Sequence, residues 1–135
     1  MKRLLIVEDN EDLAGLFTMA LDHVNYVIQV LHSAEGIVDE VERFRPDLIL
    51  MDLRMPGVSG VEAVKALRGN PATEAVRIIL ISANARVGEI ALALRVPYLA
   101  KPFDLAEFRS AVAASLERSD DSYGREMHIG GRLPR

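Results

Sequence analysis

Polar side chains suited to metal and phosphate chemistry directly follow four short apolar runs. In chain order they are Glu8 and Asp9, then Asp52, Ser82 and Lys101. Neighbouring carboxylates repel one another and raise each other's pKa unless a cation neutralises them. Carboxylate oxygens that leave positions open for water suit Mg²⁺ or Mn²⁺. If the fold brings these side chains close together, the sequence predicts a site for a divalent metal ion.

The same residues suggest phosphoryl chemistry. A carboxylate such as Asp52 can attack phosphorus and form an aspartyl phosphate. Lys101 would supply a point charge for one phosphoryl oxygen, and Ser82 a hydrogen bond to another. Only Lys2, Lys65 and Lys101 are lysine among the 16 basic residues, so a lysine at this position is more informative than usual.

Each of these residues alone also has an ordinary structural explanation. Glu8 and Asp9 could cap a following helix, and aspartate is common before turns. A serine such as Ser82 often caps a helix, and a lysine is usually a solvated charge. Their positions relative to the predicted strands therefore decide the interpretation.

Five apolar runs alternate with amphipathic stretches. The runs lie at residues 4–7, 26–31, 48–51, 78–81 and 98–100. Three of them are continuously apolar, as is typical of strands covered on both faces. The stretches between them have helical spacing, beginning with a stripe from Leu13 through Leu16 to Val24.

Helix start and stop signals support this alternation. Ser59 and Glu62 form a predicted capping box, Asp104 and Glu107 form its acidic analogue, and Gly69 begins a predicted helix stop. The result is a (βα)₅ pattern, which implies an α/β fold with a parallel sheet and helices on both faces. Ligands of such sheets bind outside the carboxyl ends of the strands.

Composition narrows the class of protein. The chain has 135 residues, 16 basic and 20 acidic, and a formal net charge of −4, which predicts one domain with little tendency to bind nucleic acid. The absence of cysteine excludes disulfides and thiolate metal sites. No apolar run approaches the roughly 18–20 residues that span a bilayer, and the first is too short for a signal peptide. We therefore expect a cytoplasmic protein without membrane insertion.

The regular pattern ends near residue 119. We predict a domain over residues 1–118 and a flexible C-terminal tail over 119–135, because the tail lacks apolar periodicity.

Four segments in order resemble the receiver domain of bacterial response regulators, of the single-domain, chemotaxis-regulator kind. They lie at residues 4–9, 47–60, 79–83 and 98–103, the last containing Lys101-Pro102-Phe103 and the second Met51-Asp52-Leu53. The resemblance covers roughly residues 2–118. It implies a doubly wound, flavodoxin-like sheet of five parallel strands in the order 2-1-3-4-5.

The resemblance also implies roles for individual residues. Asp52 would be the phosphoacceptor, and Glu8, Asp9 and Asp52 would hold Mg²⁺ or Mn²⁺ together with the backbone carbonyl of Arg54. These would be the metal ligands of the site.

Four further residues complete the implied site. Lys101 and Ser82 would contact the phosphoryl group. Tyr98 would turn inward behind Ser82, so that both act as switch residues. The bond between Lys101 and Pro102 would be cis.

A phosphorylation-dependent switch follows from the resemblance. A sensor histidine kinase or phosphotransfer protein would donate the phosphoryl group, and a downstream protein would be the target. The chain would be a monomer or weak dimer, without direct nucleic-acid contacts. It would not be an enzyme beyond accepting and hydrolysing its own phosphoryl group.

Three alternatives remain open. The chain could be a receiver that binds proteins without phosphorylation, or the receiver fragment of a larger regulator. It could also be an aspartyl-phosphate phosphatase of the haloacid dehalogenase type. Those enzymes require a second acid two residues after the nucleophile, where Arg54 stands.

The chain departs from the family between Ser82 and Tyr98, an interval a few residues shorter than usual. Val96 and Pro97 precede the fifth run, and proline lacks the N–H that a helix or central strand needs. We predict a short or irregular fourth helix, an edge position for the fifth strand and an unusual partner surface. Arg54 and Asn84 lie two residues after Asp52 and Ser82, where we hypothesise a modest effect on phosphate lifetime.

Overall fold

The computed structural model describes residues 1–22 and 25–117. The predicted tail over 119–135 lies outside the described residues, as does Val24, the last member of the first predicted stripe.

Five strands alternate with five helices over the described residues. The strands are β1 (Lys2–Val7), β2 (Tyr26–Leu31), β3 (Leu48–Asp52), β4 (Ile78–Ser82) and β5 (Tyr98–Ala100). The helices are α1 (Glu11–Leu21), α2 (Ile37–Phe44), α3 (Gly60–Arg68), α4 (Val87–Leu94) and α5 (Leu105–Glu117). The strands pair in parallel in the order β2-β1-β3-β4-β5, which confirms the predicted fold.

The central strands are the most deeply buried elements. All residues of β3 and β4 are buried, as are the last four of β1, whereas β2 at one edge is half-buried throughout. The three continuously apolar runs are therefore the three central strands. Two layers of helices cover them, because apolar side chains point alternately to both faces of a strand.

One helical layer consists of α1 and α5. Phe17 stacks on Phe108 with ring centroids 4.7 Å apart, and both are almost fully buried. This packing turns α1 so that Ala14 faces the sheet and Leu16 remains 44% exposed. The predicted inward position of Leu16 was wrong because the large ring of Phe17 determines which side of the helix is buried.

The other layer consists of α2, α3 and α4. The capping box at Ser59 is confirmed, since Ser59 and Glu62 bond each other's backbone N–H. The Asp104–Glu107 pair at the start of α5 bonds in the same reciprocal way. Helix α3 ends before Gly69, as predicted, although Gly69 has an ordinary right-handed conformation.

The fourth helix is short, as predicted. α4 has eight residues and ends at Leu94, and the next residue, Arg95, caps it with a left-handed φ of 57°. Pro97 follows and leads into the three residues of β5 at the edge of the sheet. Among the described residues, no helix is both long and apolar enough to cross a membrane.

Candidate functional site

The pairing of β1 with β3 places two buried carboxylates side by side. Val7 pairs with Met51, so the next residues, Glu8 and Asp52, lie level with each other. Glu8 is 3% and Asp52 8% exposed. The four residues before each of them, 4–7 and 48–51, are apolar and buried, so these carboxylates are the first polar groups of their segments at the carboxyl edge of the sheet, the edge where the strands end.

Asp9 completes the acidic cluster predicted from the sequence. It lies exposed directly after Glu8, and one carboxylate oxygen from each of Glu8, Asp9 and Asp52 lies within 4.8 Å of the others. Such an oxygen-rich, partly open group of ligands fits a small divalent cation. Within residues 1–22 and 25–117 it is the one cluster of this kind.

The cluster is electrostatically strained without a cation. Burial, reinforced by the nearby charge of Asp52, raises the pKa of Glu8 from its ordinary value of 4.5 to about 7. Burial also raises the pKa of Asp52, and the charge of Asp9 adds to this effect. Hydrogen bonding between the two carboxyl groups raises the pKa of Glu8 further and lowers that of Asp52.

Lys101 is the cation that the fold supplies. Its Nζ lies 3.8 Å from Glu8 Oε1 and 3.9 Å from Asp52 Oδ1. These distances are longer than a direct hydrogen bond, so the ammonium lowers the pKa of both carboxyl groups without being fixed to either. With all three carboxylates ionised, one ammonium leaves two negative charges, which matches a divalent cation.

Hydrogen bonding along the last two strands positions Lys101 and Ser82. The backbone N–H of Lys101 donates to the Ser82 carbonyl at 2.8 Å, extending the pairing of β4 with β5 by one residue. The Ser82 hydroxyl is buried and accepts the Asn84 N–H at 2.9 Å. Its own O–H proton therefore remains available for an oxygen acceptor.

The segment after Lys101 is anchored in the core. The bond from Lys101 to Pro102 is cis, the isomer that the resemblance implies. Phe103 then stacks on Phe17 and Phe108, with ring centroids 6.1 and 6.0 Å away. The aromatic stack thus holds the backbone from which Lys101 reaches the carboxylates.

The loop after β3 passes close behind Asp52. Arg54 is exposed, and its backbone N–H bonds the Asp52 side chain and lowers that group's pKa. The N–H of Gly60 donates to the Leu53 carbonyl at 2.9 Å. A Cβ on Gly60 would lie 2.6 Å from the Asp52 carbonyl oxygen, so only glycine permits this approach.

Tyr98 lies inward, on the side of β5 that faces α4. It is 6% exposed and packs among Val87, Ala91 and Val96. A Cβ on Gly88 would lie 3.1 Å from the Tyr98 hydroxyl oxygen, so the glycine leaves room for the phenol. The predicted switch residues are thus both buried in the same strand pair, Ser82 as the last residue of β4 and Tyr98 as the first residue of β5.

Sequence reasoning missed His32. This residue follows β2 directly, as Glu8 follows β1, and its Nδ1 lies 3.0 Å from the Glu8 carbonyl oxygen. Its position immediately after the second apolar run was the signal that could have identified it, because every strand of a parallel sheet ends at the same edge.

A family model described as the response regulator receiver domain matches residues 4–113, which is most of the chain. Among curated proteins, the "DNA-binding response regulator MtrA" of Mycolicibacterium smegmatis is 30% identical over 132 residues, covering 96% of this chain and 57% of the relative. The chain therefore spans little more than half the length of that relative.

Solved structures give the same result. A putative response regulator from Chloroflexus aurantiacus is 26% identical with a TM-score of 0.80, covering 87% of this chain and 98% of the other. The receiver domain of the sensor histidine kinase PA1611 from Pseudomonas aeruginosa is 32% identical with a TM-score of 0.77 over the same shares. That receiver domain was crystallised with a magnesium ion coordinated in its active-site cleft.

Proposed function

This chain belongs to the response regulator receiver domain family of two-component systems, and we propose that it is a switch controlled by phosphorylation of Asp52. The observation that carries the proposal is the buried, strained carboxylate pair with Lys101 less than 4 Å from both members. A protein that only needed to fold would gain nothing from this arrangement, since burying like charges is costly.

Mg²⁺ is the cofactor that the acidic cluster fits. Glu8, Asp9 and Asp52 would hold it, with the backbone carbonyl of Arg54 as a further ligand. The raised pKa values of Glu8 and Asp52 support this assignment, because burial and the charge of a neighbouring carboxylate disfavour the ionised forms that a cation would stabilise. When bound, the ion supplies charge neutralisation for an incoming phosphoryl group.

Asp52 would be the nucleophile. Its carboxylate oxygen attacks the phosphorus of a phosphohistidine on a partner protein, a new P–O bond forms and the P–N bond breaks. The freed imidazole nitrogen takes a proton from solvent and leaves with the partner. Lys101 would compensate the charge of a phosphoryl oxygen, while attack of water at phosphorus later regenerates the carboxylate and releases inorganic phosphate.

Ser82 would couple the presence of the phosphoryl group to the conformation of the rest of the fold. Its hydroxyl proton can bond a phosphoryl oxygen, and this contact exists only in the phosphorylated form. Tyr98 lies one strand away and would follow the movement of Ser82. A group that interacts with one state only shifts the population toward that state.

The donor would be a sensor histidine kinase or phosphotransfer protein, and the output would be a contact with a downstream protein. The chain would turn over no metabolite, so its chemistry would be limited to gaining and losing its own phosphoryl group. We propose this as the non-enzymatic role of the domain.

Labelling by a small acyl phosphate tests the proposal directly. Wild-type protein with MgCl₂ should gain one phosphoryl group, detected by phosphate-affinity electrophoresis and intact mass. Asp52→Asn should abolish labelling because the amide has no nucleophilic oxygen anion. Asp39→Asn, an exposed carboxylate on α2, is the matched control and should label like wild type.

Two results would contradict the proposal. One is a wild-type protein that is never labelled by either a phosphodonor or a histidine kinase. The other is labelling of Asp52→Asn at the wild-type rate, which would place the acceptor elsewhere.

A second candidate is that the chain serves as the receiver portion of a longer regulator. The observation that favours it is the length of the curated relatives, which are named DNA-binding response regulators and of which the match covers 57%. The mass of the protein in its source cells distinguishes the two candidates. A mass of 14.9 kDa favours the separate switch, and a larger one the longer regulator.

A further inference from the structure

We infer that His32 is a positioning residue that fixes the backbone of Glu8 and thereby aims Asp9 into the metal site. The inference deepens the proposed function and rests on it, since the metal site belongs to that function. It assigns a role to the β2–α2 loop, which none of the sequence motifs includes.

The carbonyl of Glu8 lies at the point where backbone pairing between β1 and β2 stops. The N–H of Glu8 still donates to the Leu31 carbonyl at 2.9 Å, which continues the parallel pairing by one residue. In a continued ladder the Glu8 carbonyl would accept a backbone N–H from β2. Here the imidazole of His32 occupies that place, with Nδ1 3.0 Å from the oxygen.

This bond fixes the peptide plane that joins Glu8 to Asp9. The carbonyl of Glu8 and the N–H of Asp9 belong to one planar unit, so holding the oxygen also sets the direction in which the chain enters Asp9. On the other side, the Asn10 N–H donates to Glu8 Oε2 at 3.2 Å. Asp9 thus lies between two residues whose backbone positions are fixed by hydrogen bonds, although its own side chain is exposed.

The acceptor determines the protonation of the imidazole. A carbonyl oxygen only accepts hydrogen bonds, so Nδ1 of His32 must carry the proton. The bond therefore predicts a specific tautomer, which is measurable without metal or phosphodonor. In the neutral ring, the proton should therefore lie on Nδ1 and Nε2 should be bare.

The test is a MgCl₂ titration of four single variants. Binding is detected by calorimetry and by changes in the backbone amide NMR signals of Asp9 and Asn10. His32→Ala removes the donor, and we expect Mg²⁺ affinity to fall about tenfold, as for other residues that orient ligands. The amide nitrogen of His32→Asn lies where Nδ1 lies, so this variant should stay within about threefold of wild type. His32→Gln places its amide where Nε2 lies and should resemble His32→Ala.

Ser33→Ala is the matched control. The Ser33 hydroxyl oxygen accepts the Glu35 N–H at 3.1 Å, so its removal loosens the same loop without touching Glu8. We expect wild-type Mg²⁺ affinity. Thermal melting of each variant without metal separates a loss of folding from a loss of binding, and the Asn and Gln variants give the comparison even if His32→Ala folds poorly.

The inference is supported by an Nδ1-protonated His32 in long-range ¹H–¹⁵N spectra together with this order of affinities. It is overturned by a neutral His32 protonated on Nε2, by wild-type affinity in His32→Ala, or by equal losses in His32→Asn or Ser33→Ala. If wild-type protein binds no Mg²⁺, the proposed metal site fails and this inference fails with it. Undiminished binding by His32→Ala overturns the inference alone.

Discussion

Arginine side chains bond backbone carbonyls where the strands begin, whereas carboxylates crowd together where the strands end. At the amino edge of the sheet, where the strands begin, Arg3 Nε donates to the last carbonyl of α2, that of Phe44, at 2.7 Å. Arg77 donates to the Ser115 and Leu116 carbonyls near the end of α5, at 2.9 and 3.2 Å. Positive charge at a helix C-terminus offsets the helix dipole and satisfies carbonyls that have no helical partner.

The carboxyl edge shows the opposite arrangement. Glu8 and Asp52 are buried beside each other, and Lys101 compensates only part of their charge. The two edges are built on the same strands, so the difference comes from the side chains at or next to the two ends of each strand. Arginines hydrogen-bonded to helix carbonyls at one edge stabilise the fold, and the incompletely compensated carboxylates at the other leave binding energy for a cation and a phosphoryl group.

The largest expected effect comes from disturbing the tight backbone contact behind Asp52. In Gly60→Ala the new Cβ would lie 2.6 Å from the Asp52 carbonyl and 2.8 Å from Leu53 Cα. Backbone atoms cannot rotate away, so we expect a loss of about 3 kcal/mol in the free energy of unfolding. Urea denaturation measures it.

Gly15→Ala is the control for this substitution. Gly15 is exposed on α1, and a Cβ there would meet nothing within 4 Å. The helix propensity of alanine should then stabilise the protein by about 0.5–1 kcal/mol. Losses of similar size in both variants would contradict the claim that close packing at the carboxyl edge is the cause.

The next effect is on the pH dependence of stability without metal. The pKa of Glu8 is about 7 in the folded protein against an ordinary 4.5, so the folded state binds this proton more tightly than the unfolded state. Its contribution is therefore complete below about pH 4.5 and is lost as the pH rises to about 7. At about 1.4 kcal/mol per pKa unit, this corresponds to a decrease of about 3 kcal/mol in the free energy of unfolding across the window.

Two comparisons make this prediction specific to the carboxyl edge. Excess MgCl₂ should raise the melting temperature at the alkaline end of the window, because the ion binds only the folded, ionised cluster. Asp52→Asn should flatten the profile by removing one of the repelling charges. A profile that rises through this window in metal-free protein would show that Glu8 is ordinarily acidic.

The sequence predicted some parts of this contrast between the two edges but not others. The strands and the residues that follow them were predictable, because continuous apolar runs such as residues 48–51 permit few alternatives. The apolar spacing placed both Leu16 and Phe17 on the inward stripe of α1, but they lie on adjoining faces of the helix and only Phe17 is buried. Which of them is buried depends on Phe108, which is distant in sequence.

The contacts of His32 and Gly60 could not be read from local patterns. The role of His32 depends on the end of β1, and the requirement for Gly60 depends on the path of the backbone after Asp52. The contacts of the arginines at the amino edge could not be predicted from the sequence either, because their partners are backbone carbonyls, which every residue type has. Local patterns therefore predicted what each element is, and tertiary contacts decided what each polar residue does.

A substitution at the amino edge should lower the stability of the protein without weakening metal binding. Arg77→Met keeps an apolar stem but removes the donor to the Ser115 and Leu116 carbonyls. We expect a loss of about 1.5 kcal/mol in the free energy of unfolding, with Mg²⁺ affinity unchanged. Arg43→Met is the matched control, because Arg43 is 67% exposed and its ion pair with Glu40 should contribute less than about 0.5 kcal/mol. Weakened Mg²⁺ binding in Arg77→Met would show that the two edges are not independent.

The smallest expected effect is on the lifetime of the phosphoryl group. It concerns Arg54, the exposed arginine in the loop that follows Asp52. Arg54 reaches Asp52 through its backbone N–H, which every substitution except proline preserves. Its side chain is exposed two residues from the acceptor, where it can screen a phosphoryl group from water. In Arg54→Ala we expect dephosphorylation to change by a factor of about three, roughly 0.7 kcal/mol in the barrier.

The decay of isolated, phosphorylated protein measures this rate, with Arg54→Lys as the variant that retains charge without the planar guanidinium. Unfolding free energy should stay at the wild-type value in both, since the substituted side chain is exposed. Equal decay rates in all three proteins would remove the screening role. A change in stability larger than the change in rate would instead place Arg54 among the residues that hold the fold together, as the arginines of the amino edge do.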